Sequence, residues 1–298
     1  DLSKPVVRAM PRRDFEERVP VEKFDIEVFP NDHRVDQMPL TLRLVHEQHF
    51  AEIDKIGRTV DAASDATVLK WALGQIGRKS AGAYQPLLAL LSDSDAEVRA
   101  QAAKVLGDGR FVPGYTGLVG ALKDPAARVQ FFAAQGLGKF ARPESIDALI
   151  AMLRTNEDRD LYLRHAGVMG LVGSKNVAAL LAAANDPSRS VRMAVLLAFR
   201  RLGQAEISRF LTDSDPLLVV EAARAINDVP IVGAQTALAA LLAASDGSLD
   251  EALGLRVLNA HFRNGKPENA AALAAYAIRT DAPENLRIEA LTHLAAWG

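Results

Sequence analysis

The chain contains no cysteine. Disulfides, thiolate metal sites, a cysteine nucleophile and covalent haem attachment are therefore excluded within it, although the absence does not fix a compartment. It also lacks a long apolar run, since stretches such as 177–184 stop far short of a membrane span. It lacks an excess of either charge. Thirty-five basic residues face 37 acidic ones, a net charge of −2, whereas a dedicated nucleic-acid binder carries a clearly basic face. Gly107-Asp108-Gly109 has no Gly-Lys-Ser/Thr ending and is no phosphate loop. No Ser/His/Asp set has supporting spacing. No signal peptide is visible and residue 1 is Asp1, so the chain is expected to be processed or cut from something longer.

Alanine is almost missing from the start. Of 51 alanines only Ala9 falls in the first 50 residues, while five of the 14 prolines fall in the first 40. Two regions follow. Pro5, Pro11, Pro20, Pro30 and Pro39 forbid a long helix over residues 1–40. Phe24, Ile26 and Val28 alternate with Asp25 and Glu27 and read as one short strand. A lone strand is not stable alone. The segment is expected to be an extended arm that crosses the remainder of the chain or reaches another subunit, with a disordered linker as the competing reading. Helix is expected to begin near Leu40, where Leu42, Val45, His49, Ile53 and Ile56 share a face and would cap the second region, residues 41–298.

That region repeats itself. The phrase 93–107, Asp-Ser-Asp-Ala-Glu-Val-Arg-Ala-Gln-Ala-Ala-Lys-Val-Leu-Gly, returns at 124–138 and 186–199, with weaker copies starting at Ser64, Asp158, Asp213, Asp250 and Asp281. The place held by Arg99 falls at Leu69, Gln130, Arg164, Arg192, Val219, Arg256 and Arg287, a mean step of about 31 residues, the length of a two-helix unit. A short amphipathic run precedes each phrase, so each unit reads as first helix, turn, second helix. Asp-Pro at Asp124, Asp186 and Asp215 reads as an N-cap followed by proline at the first helical position. Gly77, Gly107, Gly138, Gly173 and Gly203 read as left-handed caps ending the second helix. The pairs Ala102/Ala103, Ala133/Ala134 and Ala222/Ala223 would let neighbouring helices approach closely.

Five units place Arg six residues after Asp: Asp93/Arg99, Asp158/Arg164, Asp186/Arg192, Asp250/Arg256 and Asp281/Arg287. Such pairs are expected to form a structural ladder within or between units, interrupted where Leu69, Gln130 and Val219 replace Arg.

The turn Asp, the Val-Arg pair, the Ala-Ala step and the final Leu-Gly resemble HEAT-like repeats of the short bacterial type, over roughly residues 60–298. The resemblance implies an all-α, right-handed α-solenoid of about eight helical hairpins, with a concave face lined by the second helices that holds a protein partner or an adjacent domain. The strings 218–231, 256–265, 268–274 and 281–291 also resemble the HEAT-like section of exported quinoprotein dehydrogenase/c-type cytochrome proteins. That implies a periplasmic or otherwise exported parent, a spacer or docking role, and a cytochrome or dehydrogenase as partner. No residue here decides against the cytoplasm. This chain holds neither Cys-x-x-Cys-His nor a propeller-length β region, so redox chemistry would lie elsewhere and no cofactor is assigned to it.

Catalytic readings find little support. His46, Glu47 and His49 miss the zinc-protease spacing by one residue. His46 and His49 can share a helix face and bind a metal weakly, but surface histidines on a capping helix are the simpler reading. The several His-Glu pairs of HEAT-like deoxyhypusine hydroxylases are missing, because only His46-Glu47 occurs. HEAT-like DNA glycosylases and phycobilin lyases share the scaffold, but residues 51–298 balance at 27 basic against 27 acidic, and no pigment site stands out. His165 and His261 could face the groove, although a satisfied helical histidine is the commoner case. Arg200, Arg201, Arg209, Arg224 and Arg263 could give the later repeats a basic inner face. The reading carried forward is a non-catalytic protein-binding scaffold, with Arg200, Arg201, Arg224, His261 and Arg263 as partner-binding candidates and neither nucleic acid nor a transmembrane segment involved. Leu291, Leu294 and Trp297 give the last unit an apolar side, against which something is expected to pack.

Overall fold

The computed structural model describes residues 81–244 and 249–297. The expected arm of residues 1–40 with its strand, the helix beginning near Leu40, His46 and His49, and the hairpin around Leu69 with Gly77 lie outside the described residues.

Seven helical hairpins occupy the described residues, with no β-strand among them. A 3-10 turn at Ala81–Tyr84 and α1 (Leu87–Leu90) precede α2 (Ala96–Asp108). The next three hairpins are α3 (Tyr115–Ala121) with α4 (Ala127–Phe140), α5 (Ile146–Asn156) with α6 (Leu161–Ser174), and α7 (Val177–Ala183) with α8 (Arg189–Leu202). A 3-10 run, Ala205–Thr212, stands in for the first helix of the fifth, before α9 (Pro216–Asp228). The last two pair α10 (Val232–Ala244) with α11 (Glu251–Asn264) and α12 (Pro267–Ala277) with α13 (Glu284–Ala295). Each second helix packs on the second helix of the next hairpin, from α2 through α4, α6, α8, α9 and α11 to α13. The described residues thus form an all-α solenoid.

Its interior is apolar and small. Ala102, Ala103, Ala133, Ala134, Ala222 and Ala223 are all fully buried, as the paired-alanine pattern requires. One cluster, chiefly leucine, valine and alanine, runs from Ala103 of the first hairpin to Ala260 of the sixth. A second cluster around Leu258, Leu273, Tyr276 and Leu286 fills the last hairpin. Phe199 and Phe210 are the largest fully buried side chains, with ring centroids 6.4 Å apart. At the end of the stack Leu294 and Trp297 fold inward onto the second cluster, Trp297 lying edge-on to Phe262 at 5.9 Å. Only Leu291 of the three expected apolar residues stays exposed, together with Ile288.

Two local expectations are corrected. Asp215 is an N-cap before Pro216, and its carboxylate accepts from Leu217 N–H at 2.9 Å. Asp124 and Asp186 instead sit two residues ahead of their N-caps, Ala126 and Ser188, and accept the N–H of those residues at 2.8 Å. The glycines differ more. Gly203 ends α8 in the left-handed conformation at φ +65°. Gly107, Gly138 and Gly173 lie inside α2, α4 and α6, and the left-handed positions after α4 and α6 are Ala141 and Lys175. Glycine inside a helix costs about 1 kcal/mol against alanine, so close packing must offset it. A Cβ on Gly107 would lie 2.5 Å from Gly136 Cα, and one on Gly138 would lie 2.7 Å from the Met169 carbonyl oxygen. One on Gly173 would lie 2.0 Å from the Gly138 carbonyl oxygen. Helices α2, α4 and α6 therefore touch backbone to backbone along a glycine seam.

Candidate functional site

The seam stops at α6. Helix α8 has no glycine, and its Val195 and Leu196 are fully buried where α2 and α4 carry their alanine pairs. Helices α6 and α8 pack together less extensively than α4 and α6 do. A groove of about 640 Å³ opens there, lined by Leu161, His165 and Val168 of α6, Leu197, Arg200 and Arg201 of α8, and Val229 after α9. Leu161 is 58% exposed and Val229 45%. Leu161 occupies the first position of α6, just after the N-cap Asp160, whose carboxylate accepts from Tyr162 and Leu163 N–H at 2.8 and 3.1 Å.

The cations around this groove differ in their freedom. Arg164 also lines it and faces Asp158 at 3.4 Å. Arg200 donates to Glu221 Oε1 at 3.3 Å. Arg201 is exposed, and no carboxylate lies within ion-pair distance of it among the described residues. No acidic side chain lines the groove.

The other partner-binding candidates lie elsewhere. Arg224 sits between Glu221 at 3.7 Å and Asp228 at 3.6 Å. Arg263 reaches back from α11 to donate to the Asn227 carbonyl at 2.6 Å. His261 is buried, not displayed. Its Nε2–H donates to the Ala239 carbonyl at 2.9 Å while Nδ1 accepts from Asn269 Nδ2 at 3.0 Å. Burial lowers its pKa below the usual histidine value, and the bond to Ala239 opposes this only in part. The ring is thus neutral and committed to the core. His165, by contrast, is exposed at the groove. Arg209 turns to the first-helix side, where it donates to Asn185 Oδ1 at 2.8 Å. Among the described residues no group of three or more His, Asp or Glu side chains is placed to hold a metal ion.

Of the two connectivities open to the Asp/Arg ladder, within a unit or between units, the arginines of two units take the second. Arg99 places Nε and Nη2 on both oxygens of Asp124, at 2.7 and 2.9 Å, and Nη1 on the carbonyls of Asp93 and Ser94. Arg192 repeats this on Asp213, at 2.9 and 3.1 Å, and on the carbonyls of Asp186 and Pro187. The reason is local. Each turn carboxylate already accepts the N–H two residues on, so the arginine meets its own turn through backbone and the next turn through the carboxylate. Asp124 and Asp213 belong to the units with Gln130 and Val219, where a break was expected, and they receive the arginine of the unit before. Gln130 keeps half of the pattern by donating to the Asp124 carbonyl at 2.6 Å.

The remaining three pairs diverge. Asp158 and Arg164 do meet within their unit, while Asp186 takes Arg154 Nη2 at 2.6 Å from α5. Asp250 is itself an N-cap, accepting from Leu253 N–H, so Arg256 lies too far along α11 and instead donates to the Ala252 carbonyl at 2.6 Å. Asp281 pairs with Arg279 at 2.6 Å, and Arg287 donates to the Ala277 carbonyl. Hydrogen bonding by Arg99 holds the Asp124 carboxyl below the usual carboxylate range despite partial burial. Burial works against ionisation of Asp213, but hydrogen bonds from Arg192 and from Asp215 N–H outweigh it and hold that carboxyl low as well.

Comparison with known proteins agrees with this architecture. Residues 84–171, the first three hairpins almost in full, match the family model described as HEAT repeats. Within that span, less than half of the chain, the repeats are HEAT-like. No curated protein matches the chain. Among solved structures it is similar to the complex of CpcE and CpcF of phycocyanin lyase from Nostoc sp., at 24% identity over 72% of this chain and 87% of that one, with a TM-score of 0.37. Human deoxyhypusine hydroxylase gives 20% identity over 85% and 99%, with a TM-score of 0.34. The archaeal HEAT-like repeats protein from Thermococcus onnurineus gives 14% over 78% and 96%, with a TM-score of 0.40. At such scores the likeness is too loose to carry a conclusion about this chain. Nothing in these comparisons supports the resemblance to exported dehydrogenase–cytochrome proteins.

Leu161 and Val229 were missed by sequence reasoning. The available signal was an apolar residue directly after an N-cap aspartate, and another just after a helix end and before Pro230, both at positions that the repeat leaves outside its core stripe.

Proposed function

We propose that this chain is a protein-binding scaffold whose recognition site is the groove between α6 and α8. One observation supports the reading above others. The second helices form a continuous surface, and where the glycine seam ends that surface opens into a cleft holding exposed leucine and valine. Apolar side chains displayed together at a concavity lose contact with water when a partner covers them, at about 25 cal/mol per Å². The surrounding arginines would orient such a partner and contribute less to affinity.

The test is selection of peptides from a random phage-displayed library against the full chain, with Leu161→Asp/Val229→Asp as counter-selection. Both sites are exposed, so the variant should keep its helical circular dichroism. The reading requires peptides that bind the parent and lose the variant. Peptides that bind both equally, or none at all, would overturn it.

A further inference from the structure

We propose that the groove takes an acidic, amphipathic peptide segment of a partner protein. This rests on the protein-binding reading above and names the chemistry of the occupant. The groove pairs two features. Leu161, Leu197 and Val229 give it an apolar surface, and Arg200, Arg201 and His165 stand along it with no carboxylate in the lining. The chain as a whole is nearly neutral, at −2, so this positive excess is local.

Partnering within the chain sharpens the point. Glu221 already engages Arg200 at 3.3 Å, whereas Arg201 has no carboxylate within ion-pair distance among the described residues. Both arginines sit in the last turn of α8, where the helix C-terminus favours a cation. That accounts for their positions in sequence but leaves the guanidinium of Arg201 with its donors open among the described residues. A peptide carboxylate above Arg201, with a leucine-like side chain seated against Leu161 and Val229, would satisfy both features together.

The dimensions limit the occupant. A space of about 640 Å³ is that of a typical ligand cleft and admits a few side chains, not a protein surface. Affinity would come chiefly from the apolar anchors, because exposed ion pairs are individually weak. The arginines would set the sign of the charge that is accepted. Single-stranded nucleic acid fits less well, since no Phe, Tyr or Trp ring lines the groove for bases to stack on.

The experiment reads the net charge of the peptides selected above in a groove-dependent way, then measures one of them by fluorescence anisotropy on the full chain. The expected peptides carry Asp or Glu beside large apolar residues. Arg201→Glu should weaken binding by at least about tenfold, and a lysine-for-glutamate version of the peptide should regain affinity on that variant. Rising salt should weaken the parent complex. Groove-dependent peptides that are basic or neutral would overturn the acidic occupant and leave the scaffold reading standing. The same holds if Arg201→Glu leaves affinity unchanged, or if oligo-dT displaces the peptide with higher affinity than its own. Absence of any groove-dependent peptide would overturn both readings.

Discussion

Substitution of Gly173 by alanine should destabilise the protein, although alanine is the better helix former. An added Cβ would lie 2.0 Å from the carbonyl oxygen and 2.4 Å from the Cα of Gly138. Both neighbours are backbone, so no side chain can swing away. Restoring an ordinary contact of 3.4 Å or more requires α4 and α6 to part by more than about 1 Å. Overpacking of that kind costs roughly 1–3 kcal/mol, occasionally more. The helix-propensity gain of about 1 kcal/mol offsets only part of it. Gly120, exposed in α3, provides the control, for nothing lies within 4 Å of its added Cβ. Alanine there should stabilise by about 0.4–1 kcal/mol. Urea denaturation and thermal melting read both variants, with a shift of about 2–4 °C per kcal/mol for a chain of this size. The seam is refuted if Gly173→Ala melts at or above the parent temperature.

Three further outcomes follow from single observations. The Arg192–Asp213 pair is mostly buried, with side chains 14% and 8% exposed, so Arg192→Ala should cost about 2 kcal/mol in urea denaturation, and a loss under about 0.5 kcal/mol would make the pair an ordinary surface contact. Because burial depresses the pKa of His261, its contribution is present above about pH 6.5 and is lost as pH falls toward the lower folded value; stability should therefore decline as pH falls below about 6.5, and His261→Gln, weaker at neutral pH, should show a smaller decline. Asp124 and Asp213, both held low, should add a further loss below about pH 4. The Tyr276 hydroxyl is buried without a hydrogen-bond partner among the described residues, so Tyr276→Phe should be neutral or stabilising by up to about 1 kcal/mol; a clear loss of stability would show that the hydroxyl has a partner, such as water.

The solenoid was legible because its repeat is written in residue types that admit few alternatives. A turn Asp, an alanine pair and leucines at helical spacing place α2, α4, α8 and α9 within a residue or two of where the pattern puts them. The glycines were misread because one residue type serves two ends. Glycine permits a left-handed cap and also permits two backbones to touch, and only the neighbouring helix decides between them. At α8 the two uses separate cleanly, since Gly203 is a cap and the helix itself has no glycine. The ladder was half legible. Asp and Arg at a separation of six are plain in sequence, but the aspartate spends its carboxylate on its own turn, and that hands the arginine to the next unit. Of the groove, Arg200 and Arg201 were named from their charge, whereas Leu161 and Val229 were not, because an exposed leucine is distinguished from a core leucine only by its angle on a helix that must first be placed. His261 carried two readings, a satisfied helical histidine and a groove residue, and the first holds, because Asn269 and the Ala239 carbonyl enclose the ring.

The account turns on one claim, that the place where the glycine seam ends is where a partner binds. Methyl-labelled NMR of the full chain during titration with a selected peptide tests it most directly, because Leu161, Val168, Leu197 and Val229 all carry reporter methyls at the groove. Shifts concentrated on these four, and absent in Arg201→Glu at the same peptide concentration, are the predicted result. Shifts centred on the first-helix side, at Leu181 or Leu242, would contradict it.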